Sequence, residues 1–303
     1  MEKRSTQHDY VLITPARNEA EYIEGTLKSV VAQTVAPIKW IIVSDGSTDD
    51  TEAIVERYAK KHTYIELVVR VAGSGRNFGS KVFAFDSGYE RLGDTKYSYI
   101  GNLDADVSLD PDYFERLLQH FSERPKLGIG GGAIFESIGG KYRARPGNRT
   151  RSVPGAVQLF HRECFEEIGG YSPIKTGGID TLAEIKAGML GWEVESFPDL
   201  IVRHHRITST ALGSGGMSVN LREGRSAYAL GYHPVYQVCK SARRLFHRPI
   251  FLASFFQLAG YFRAALGSDR IAVPDDVYHY VRKEQMARLR KVPMLLRGSR
   301  KGL

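Results

Sequence analysis

The 303-residue sequence predicts an α/β protein with a doubly wound, mainly parallel sheet, followed by a helical, basic C-terminal extension. Short apolar runs of strand length alternate with segments of helical periodicity over residues 1–210, and each run ends in polar or glycine residues. Residues 201–303 hold 18 Lys and Arg against 5 Asp and Glu, whereas residues 1–200 hold 24 against 29. The sequence therefore predicts two domains, 1–210 and 211–303.

The first part of the chain alternates strand and helix regularly, which favours right-handed crossovers between parallel strands. The predicted strands are Tyr10–Thr14, Lys39–Val43, Ile65–Val71 and Tyr97–Leu103. The predicted helices are Glu19–Gln33, Thr51–Lys61, Ser80–Leu92 and Pro111–Phe121.

The second part alternates less regularly. The predicted strands are Leu127–Phe135, Gly155–Phe160, Trp192–Phe197 and Leu200–Arg203, and the predicted helices lie at Arg162–Ile168 and within Gly177–Leu190. The arginines of Ser137–Ser152 indicate a flexible basic loop over the site.

Two carboxylates follow the fourth strand, at Asp104 and Asp106. Two like charges so close together repel, and a cation between them would relieve the repulsion. Carboxylate oxygens suit hard divalent ions such as Mg²⁺ and Mn²⁺. A solvated Asp-Ala-Asp turn would explain a lone pair of this kind, but the carboxyl end of a buried strand is where open α/β sheets bind ligands. The sequence therefore predicts a divalent metal site.

Four motifs occur in a fixed order. They are Pro15-Ala-Arg-Asn-Glu19, Ser44-Asp-Gly-Ser-Thr-Asp-Asp50, Asp104-Ala-Asp106, and Gly169-Gly-Tyr171 ahead of Asp180. In this order and spacing they resemble the inverting family 2 glycosyltransferases of the GT-A fold, a Rossmann-like architecture, over about residues 10–210. That resemblance implies transfer of a sugar from a nucleotide-sugar donor, most often a UDP-sugar.

The resemblance also implies roles for single residues. Asp45 would accept hydrogen bonds from the donor base, Lys81 would lie near the diphosphate, and Asp104 would face the donor ribose and the metal. Asp106 would ligate the metal directly. The remaining expected substrate contacts are Pro15, Arg17 and Glu19 of the first turn, and Asn77 after the third strand.

Asp180 is the expected catalytic base, because inversion needs a carboxylate beside the acceptor hydroxyl. It matches the aspartate of the family's Glu-Asp acceptor motif, although Ile179 stands where glutamate is usual. A purely structural alternative is that Asp180 caps a helix beginning at Thr181.

The resemblance also implies a metal-binding histidine after the last strand, where His204 and His205 are adjacent. Neighbouring residues of an extended segment point in opposite directions, so one of the two is expected to ligate, and the alignment favours His204. The glycines of Gly73–Gly79 give GxGxxxG after the third strand, which does not match a dinucleotide-binding motif.

The C-terminal extension combines arginines with an apolar run, Pro249–Phe262. Ser254 and Gln257 interrupt that run, so an interfacial element on an anionic membrane fits better than a spanning helix, and a helix packed under the catalytic domain is the alternative. Nucleic acid is not an expected partner. With two cysteines and a polar N-terminus, the expected location is the cytoplasm, peripherally on the inner face of the cell membrane.

The sequence thus predicts a metal-dependent transferase moving one sugar to a saccharide or polyprenyl-linked acceptor in cell-surface or exopolysaccharide biosynthesis. Single-sugar transfer is expected because Leu221–Arg225 replaces the glutamine-and-tryptophan motif of processive synthases. A nucleotidyltransferase on a similar sheet and a non-catalytic membrane-binding protein of the same fold are the alternatives.

Overall fold

The computed structural model describes residues 9–71, 78–145, 148–206, 216–243, 252–267 and 269–298. Its strands are β1 Tyr10–Ala16, β2 Lys39–Asp45, β3 Ile65–Arg70, β4 Tyr99–Leu103, β5 Val107–Leu109, β6 Leu127–Ile138, β7 Lys141–Ala144, β8 Val157–His161 and β9 Glu193–His204. Its helices are α1 Ile23–Val31, α2 Thr51–Ala59, α3 Phe78–Leu92, α4 Tyr113–Glu123, α5 Arg162–Glu167, α6 Ile179–Met189, α7 Gly216–Ala229, α8 Pro234–Ala242, α9 Leu252–Leu266 and α10 Asp275–Gly298.

Within these ranges, the strands join in one sheet of order β3-β2-β1-β4-β8-β6-β9-β5, with β7 paired to β6 outside that path. The half formed by β3, β2, β1 and β4 is parallel, as the connecting helices α1 to α3 require. Apolar residues cover both faces of its central strands, and Leu12, Trp40 and Ile42 are fully buried. The predicted α/β class with a doubly wound parallel region is confirmed.

The other half of the sheet is mixed. Strand β8 runs antiparallel to both β4 and β6, and β9 runs parallel to β6. The two predicted strands Trp192–Phe197 and Leu200–Arg203 form one strand, β9, whose pairing with β6 shifts register between Gly132 and Ala133. That irregularity explains why the sequence pattern breaks there.

Three further local features differ from the prediction. The short strand β5 was not predicted; it pairs antiparallel with β9, a partner about a hundred residues further along the chain that no local pattern shows. Part of the predicted basic loop is instead a hairpin of β6 and β7. Helix α4 begins at Tyr113 and not at Pro111, with Asp112 at its N-cap position.

The chain divides into two compact units. The first unit comprises Met1–Pro173 and Ile179–Thr208 and contains the whole sheet; the second comprises Ile174–Gly178 and Ser209–Leu303 and contains helices α7 to α10. None of the described helices has both the length and the apolar composition needed to cross a bilayer.

Helices α7 and α9 make the closest packing within the second unit. A Cβ atom on Gly224 would lie 2.0 Å from the carbonyl oxygen of Gln257, and one on Gly260 would lie 2.1 Å from that of Leu221. Only residues without a side chain permit so close an approach of two helix backbones. These two glycines therefore fix where α7 and α9 cross.

Candidate active site

Hydrogen bonds tie the turn after β1 to the turn after β2. Asn18 has a left-handed backbone, with φ of 55°, and its Oδ1 atom accepts the backbone N–H of Thr48 at 2.8 Å. The backbone N–H of Glu19 donates to Thr51 Oγ1 at 2.8 Å. These contacts delay the start of α1 to Ile23, four residues after the predicted start, and hold two predicted nucleotide-binding segments together.

Asp45 ends strand β2 and is 6% exposed. Its Oδ1 atom accepts a hydrogen bond from Arg70 Nη1 at 3.0 Å, and Arg70 is its register partner at the end of β3. Arg70 leaves the second carboxylate oxygen of Asp45 for another donor. Pro15 and Arg17 lie at the end of the neighbouring strand β1, both half-buried.

Asp104, Asp106 and His204 come together beyond β4. One ligand atom from each lies within 4.8 Å of the others, and His204 Nε2 is 3.5 Å from Asp106 Oδ1. His204 ends β9 and pairs with Val107 of β5, so the unpredicted strand β5 is what brings the histidine to the carboxylates. Two carboxylates and an imidazole are a donor set that suits Mn²⁺.

The electrostatics of this cluster favour a bound cation. Burial raises the pKa of Asp106, and the nearby charge of Asp104 raises it further, against the opposing effects of His204 and Arg206. Removing a carboxylate from water penalises its charged form unless positive charge compensates. The neighbouring groups of the protein thus offset the negative charge of the two carboxylates only in part. A divalent ion bound at this site would offset the rest.

Arg206 is a member of the cluster that the sequence did not predict. It donates to Glu19 Oε2 at 2.5 Å, its Nε atom lies 3.6 Å from Asp106 Oδ2, and its guanidinium lies 5.2 Å from the centre of the Tyr22 ring. Burial raises the pKa of Glu19 to about 7, although Arg206 lowers it. The contact joins residues 187 positions apart, so no local signal could have found it.

His205 points elsewhere, as expected for the neighbour of a ligand on an extended segment. Its Nδ1 atom lies 2.8 Å from the hydroxyl of Tyr142 in the β6–β7 hairpin, and its ring stacks against Tyr22 with centroids 6.4 Å apart. Of the two histidines, the structure brings His204 to the carboxylates.

Gly155 lies between the cluster and the predicted catalytic base Asp180. Its carbonyl oxygen accepts from Asn102 Nδ2 at 2.7 Å and from Lys81 Nζ at 3.3 Å, and Lys81 also pairs with Asp104 Oδ1 at 2.5 Å. A Cβ atom at position 155 would lie 3.0 Å from Asp180 Oδ2. One glycine thus accepts a hydrogen bond from the partner of Asp104 and leaves little room for a side chain beside the predicted base.

Asp180 lies in the first turn of α6, which begins at Ile179 and not at Thr181. It is therefore inside the helix, one residue past its start, and a carboxylate in a first turn is favoured by the helix dipole. Asp180 is half-buried. The structure thus does not bear out the alternative that Asp180 caps a helix starting at Thr181.

Glu184, one turn further along α6, is a second carboxyl that the sequence analysis missed. Its Oε1 atom accepts the backbone N–H of Val153 at 2.6 Å, and Ser152 donates to the same carboxyl at 3.0 Å. Burial raises the pKa of Glu184 to about 8, and the charge of Asp180 contributes to the rise. The i, i+4 spacing of the two carboxyls was the available signal.

Most of the predicted site residues thus lie along one edge of the first unit, and Asn77 lies outside the described residues.

The sequence model of the family "Glycosyl transferase family 2" matches residues 11–179, more than half of the chain. The chain belongs to glycosyl transferase family 2. The prediction of this family, and of a glycosyltransferase, is thereby confirmed.

Curated relatives support the same assignment. The family 2 chain is 32% identical over 170 residues to the poly-beta-1,6-N-acetyl-D-glucosamine synthase of Staphylococcus epidermidis, which covers 50% of this chain and 39% of the synthase. It is 30% identical over 179 residues to the uncharacterized glycosyltransferase EpsJ of Bacillus subtilis, covering 51% and 48%. The chain thus spans less than half the length of these two relatives.

Solved structures share the fold. The mannosyltransferase PcManGT of Pyrobaculum calidifontis, in complex with GDP-Man and Mn²⁺, superposes with a TM-score of 0.54 at 19% identity, over 87% of this chain and 76% of that one. Residues 1–349 of S. aureus TarS superpose with a TM-score of 0.51 at 15% identity, over 86% and 72%. Together with the sheet topology they confirm the predicted GT-A, Rossmann-like architecture.

Proposed function

We propose that this family 2 member is a metal-dependent, inverting glycosyltransferase that moves one sugar from a UDP-sugar to a saccharide or polyprenyl-linked saccharide in cell-surface or exopolysaccharide biosynthesis. The observation that carries the proposal is the Asp104, Asp106 and His204 cluster, linked through Lys81 and Gly155 to Asp180. The metal-binding cluster alone would also fit a non-catalytic protein. The additional carboxylate of Asp180 beside that cluster favours a transferase.

The donor would bind along the ends of β1, β2 and β4. The free carboxylate oxygen of Asp45 would accept a hydrogen bond from the base, beside the turn that holds Pro15, Arg17 and Glu19. Lys81 would turn from Asp104 toward the diphosphate. A divalent metal held by Asp104, Asp106 and His204 would stabilise the negative charge that develops on the leaving diphosphate.

Asp180 would act on the acceptor. Its carboxylate would take the proton of the acceptor hydroxyl while that oxygen forms a bond to the anomeric carbon on the face opposite the diphosphate. The bond from that carbon to the diphosphate oxygen breaks, so the configuration inverts. The partly buried, hydrogen-bonded Glu184 would hold the first turns of α6 in place against Val153.

The names of similar proteins support the choice of donor and pathway. The Staphylococcus relative is named as a poly-N-acetylglucosamine synthase, and TarS was solved with UDP-GlcNAc. PcManGT was solved with GDP-Man, a different nucleotide, so the assignment of UDP to the donor of this chain is itself part of the proposal. The peripheral location on the inner membrane face belongs to it as well.

A thermal-shift screen tests the proposal. UDP-GlcNAc, other UDP-sugars and GDP-Man are compared with and without Mn²⁺, with Asp110→Asn as a control for the general effect of Mn²⁺ on carboxylates. A ligand at 100 times its Kd stabilises the native state by about 2.7 kcal/mol, so one donor is expected to raise Tm only when Mn²⁺ is present. Absence of metal-dependent stabilisation by every donor would overturn the metal site. A product longer by several sugars would overturn single transfer.

A further inference from the structure

Helix α9 has its polar side inside. The side that packs within the second unit carries Ser254, Gln257, Gly260, Tyr261 and Ala264, all buried. The hydroxyl of Tyr261 donates to the carbonyl of Tyr232 at 2.6 Å. Ser254 Oγ donates to the carbonyl of Ser241 at 2.9 Å, and Gln257 Nε2 donates to Glu223 Oε2 at 3.0 Å. Small and hydrogen-bonded residues thus account for the packing of α9.

The opposite side of α9 is apolar and exposed. Leu252, Phe255, Phe262 and Leu266 are 53%, 64%, 40% and 88% exposed. Their spacing of three, seven and four residues places them on one face of the helix. We call these four residues the apolar face of α9.

Single exposed apolar residues are common, but a continuous row on one helix is typical of a contact surface. Phe83 of α3, for comparison, is 52% exposed and has no exposed large apolar neighbour three or four residues away on its helix. The inverted arrangement of α9 leaves its larger apolar side chains available to a partner.

Positive charge lies beside the apolar face. Arg263 is exposed and, among the described residues, makes no salt bridge. It lines a groove of about 490 Å³ with Leu221, Arg225, Gly267 and Asp269. Asp269 neutralises Arg225 through two hydrogen bonds, at 2.9 and 3.1 Å, so the cation left for an outside anion is Arg263.

We propose that the apolar face of α9 docks on the surface of an anionic lipid bilayer, with its side chains among the acyl chains near the head groups and Arg263 on a lipid phosphate. The inner side of α9 is packed against α7, so only the outer side can reach the lipid, and the helix would lie along the surface. This proposal deepens the peripheral membrane location included in the proposed function, but its test does not depend on sugar transfer.

Charge favours lipid over a second copy of the chain as the occupant. Residues 209–303 hold 16 Lys and Arg against 5 Asp and Glu. Two copies joined through α9 would bring two such basic segments together, and like charges across an interface are unfavourable. An anionic bilayer is attracted by the same charge.

Co-sedimentation of the full-length chain with vesicles tests the proposal. Vesicles of phosphatidylcholine with about 30% phosphatidylglycerol are compared with pure phosphatidylcholine vesicles, at low and high salt. The double variant F255S/F262S is expected to lower the partition coefficient at least about tenfold, while the matched control Phe83→Ser leaves it unchanged. Arg263→Glu is expected to lower binding to the anionic vesicles about fivefold or more, and Arg57→Glu is its control.

Unchanged Tm of every variant shows that the fold is kept, which the exposure of these side chains predicts. The proposal is overturned if the wild type does not sediment with anionic vesicles at low salt, or if F255S/F262S and Phe83→Ser bind alike. It is also overturned if sedimentation velocity shows a dimer that F255S/F262S abolishes while vesicle binding persists.

Discussion

The end of β4 and helix α9 distribute polar and apolar residues in opposite ways. Beyond β4, charged groups lie at the edge of a sheet whose strands are buried, and each touches another polar group, as Asp104 touches Lys81. On α9, the polar side chains of Ser254 and Gln257 lie inside, and the large apolar side chains of Phe255 and Leu266 lie outside. The first arrangement fits a small polar ligand, and the second fits an extended apolar one.

The difference also separates what each region contributes. At the strand ends, the burial of charged carboxylates is unfavourable, and a bound ligand can relieve it. Substitutions there should therefore change binding and rate more than folding. In the second unit, the close contact of two helix backbones contributes to stability, whereas side chains that stay exposed, such as those of the apolar face, contribute little. Variants in the two regions should therefore affect different measurements.

The largest expected effect is that of Asp180→Asn on the rate. Loss of a positioned base typically costs about 10²–10⁴-fold, and an amide of the same shape should keep the fold and the donor affinity. Single-turnover transfer and donor binding are measured side by side, with the exposed Asp199→Asn as control. Weakened donor binding with a normal rate per bound donor would make Asp180 structural.

Asp106→Asn should remove the metal-dependent part of nucleoside diphosphate binding. The variant takes away one negative charge of the cluster and leaves the buried site able to hydrogen-bond, so Tm without metal should stay the same or rise. At a nucleoside diphosphate concentration 100 times the wild-type Kd, binding stabilises the wild type by about 2.7 kcal/mol. Most of that stabilisation is expected to be lost in the variant. Calorimetric titration with Mn²⁺ measures it, and Asp110→Asn should behave as wild type.

Gly260→Leu should destabilise the second unit, by roughly 1–3 kcal/mol or more, because a side chain there would meet the backbone of Leu221. Ala259→Leu, at the preceding and only half-buried position, is the matched control and should reduce the free energy of unfolding only slightly. Denaturant unfolding followed by circular dichroism measures both. Equal stability of the two variants would contradict the close crossing of α7 and α9.

The smallest effect concerns pH. Glu184 has a pKa raised to about 8, against an ordinary 4.5, so between these values the native state binds more protons than the unfolded state and stability falls as pH rises. Glu184→Gln does not titrate and should gain stability relative to wild type between pH 5 and 8, by at most about 1.4 kcal/mol per pH unit. If the free energies of unfolding of the wild type and of Glu184→Gln change with pH in parallel, Glu184 is ionised in the native protein.

The sequence predicted the parts of this structure that depend on local pattern. The buried strands β1, β2 and β4 follow from their apolar runs, and the carboxylates at Asp104 and Asp106 follow from the end of β4. It did not predict contacts made by pairing between distant segments, such as β5 with β9 or Arg206 with Glu19. It also missed the orientation of α9, because an apolar run does not show which side of a helix is covered.

Gly155 has a consequence for motion. Its backbone lies against the Asp180 carboxylate and accepts hydrogen bonds from Asn102 and Lys81. Segments that lie 76 residues apart in the chain, around Asp104 and Asp180, are therefore coupled through the backbone of one residue. Thermal displacements of the two carboxylates should be correlated, so that the gap between them varies less than the position of either one, and the reacting atoms would keep their alignment while the surrounding loops move.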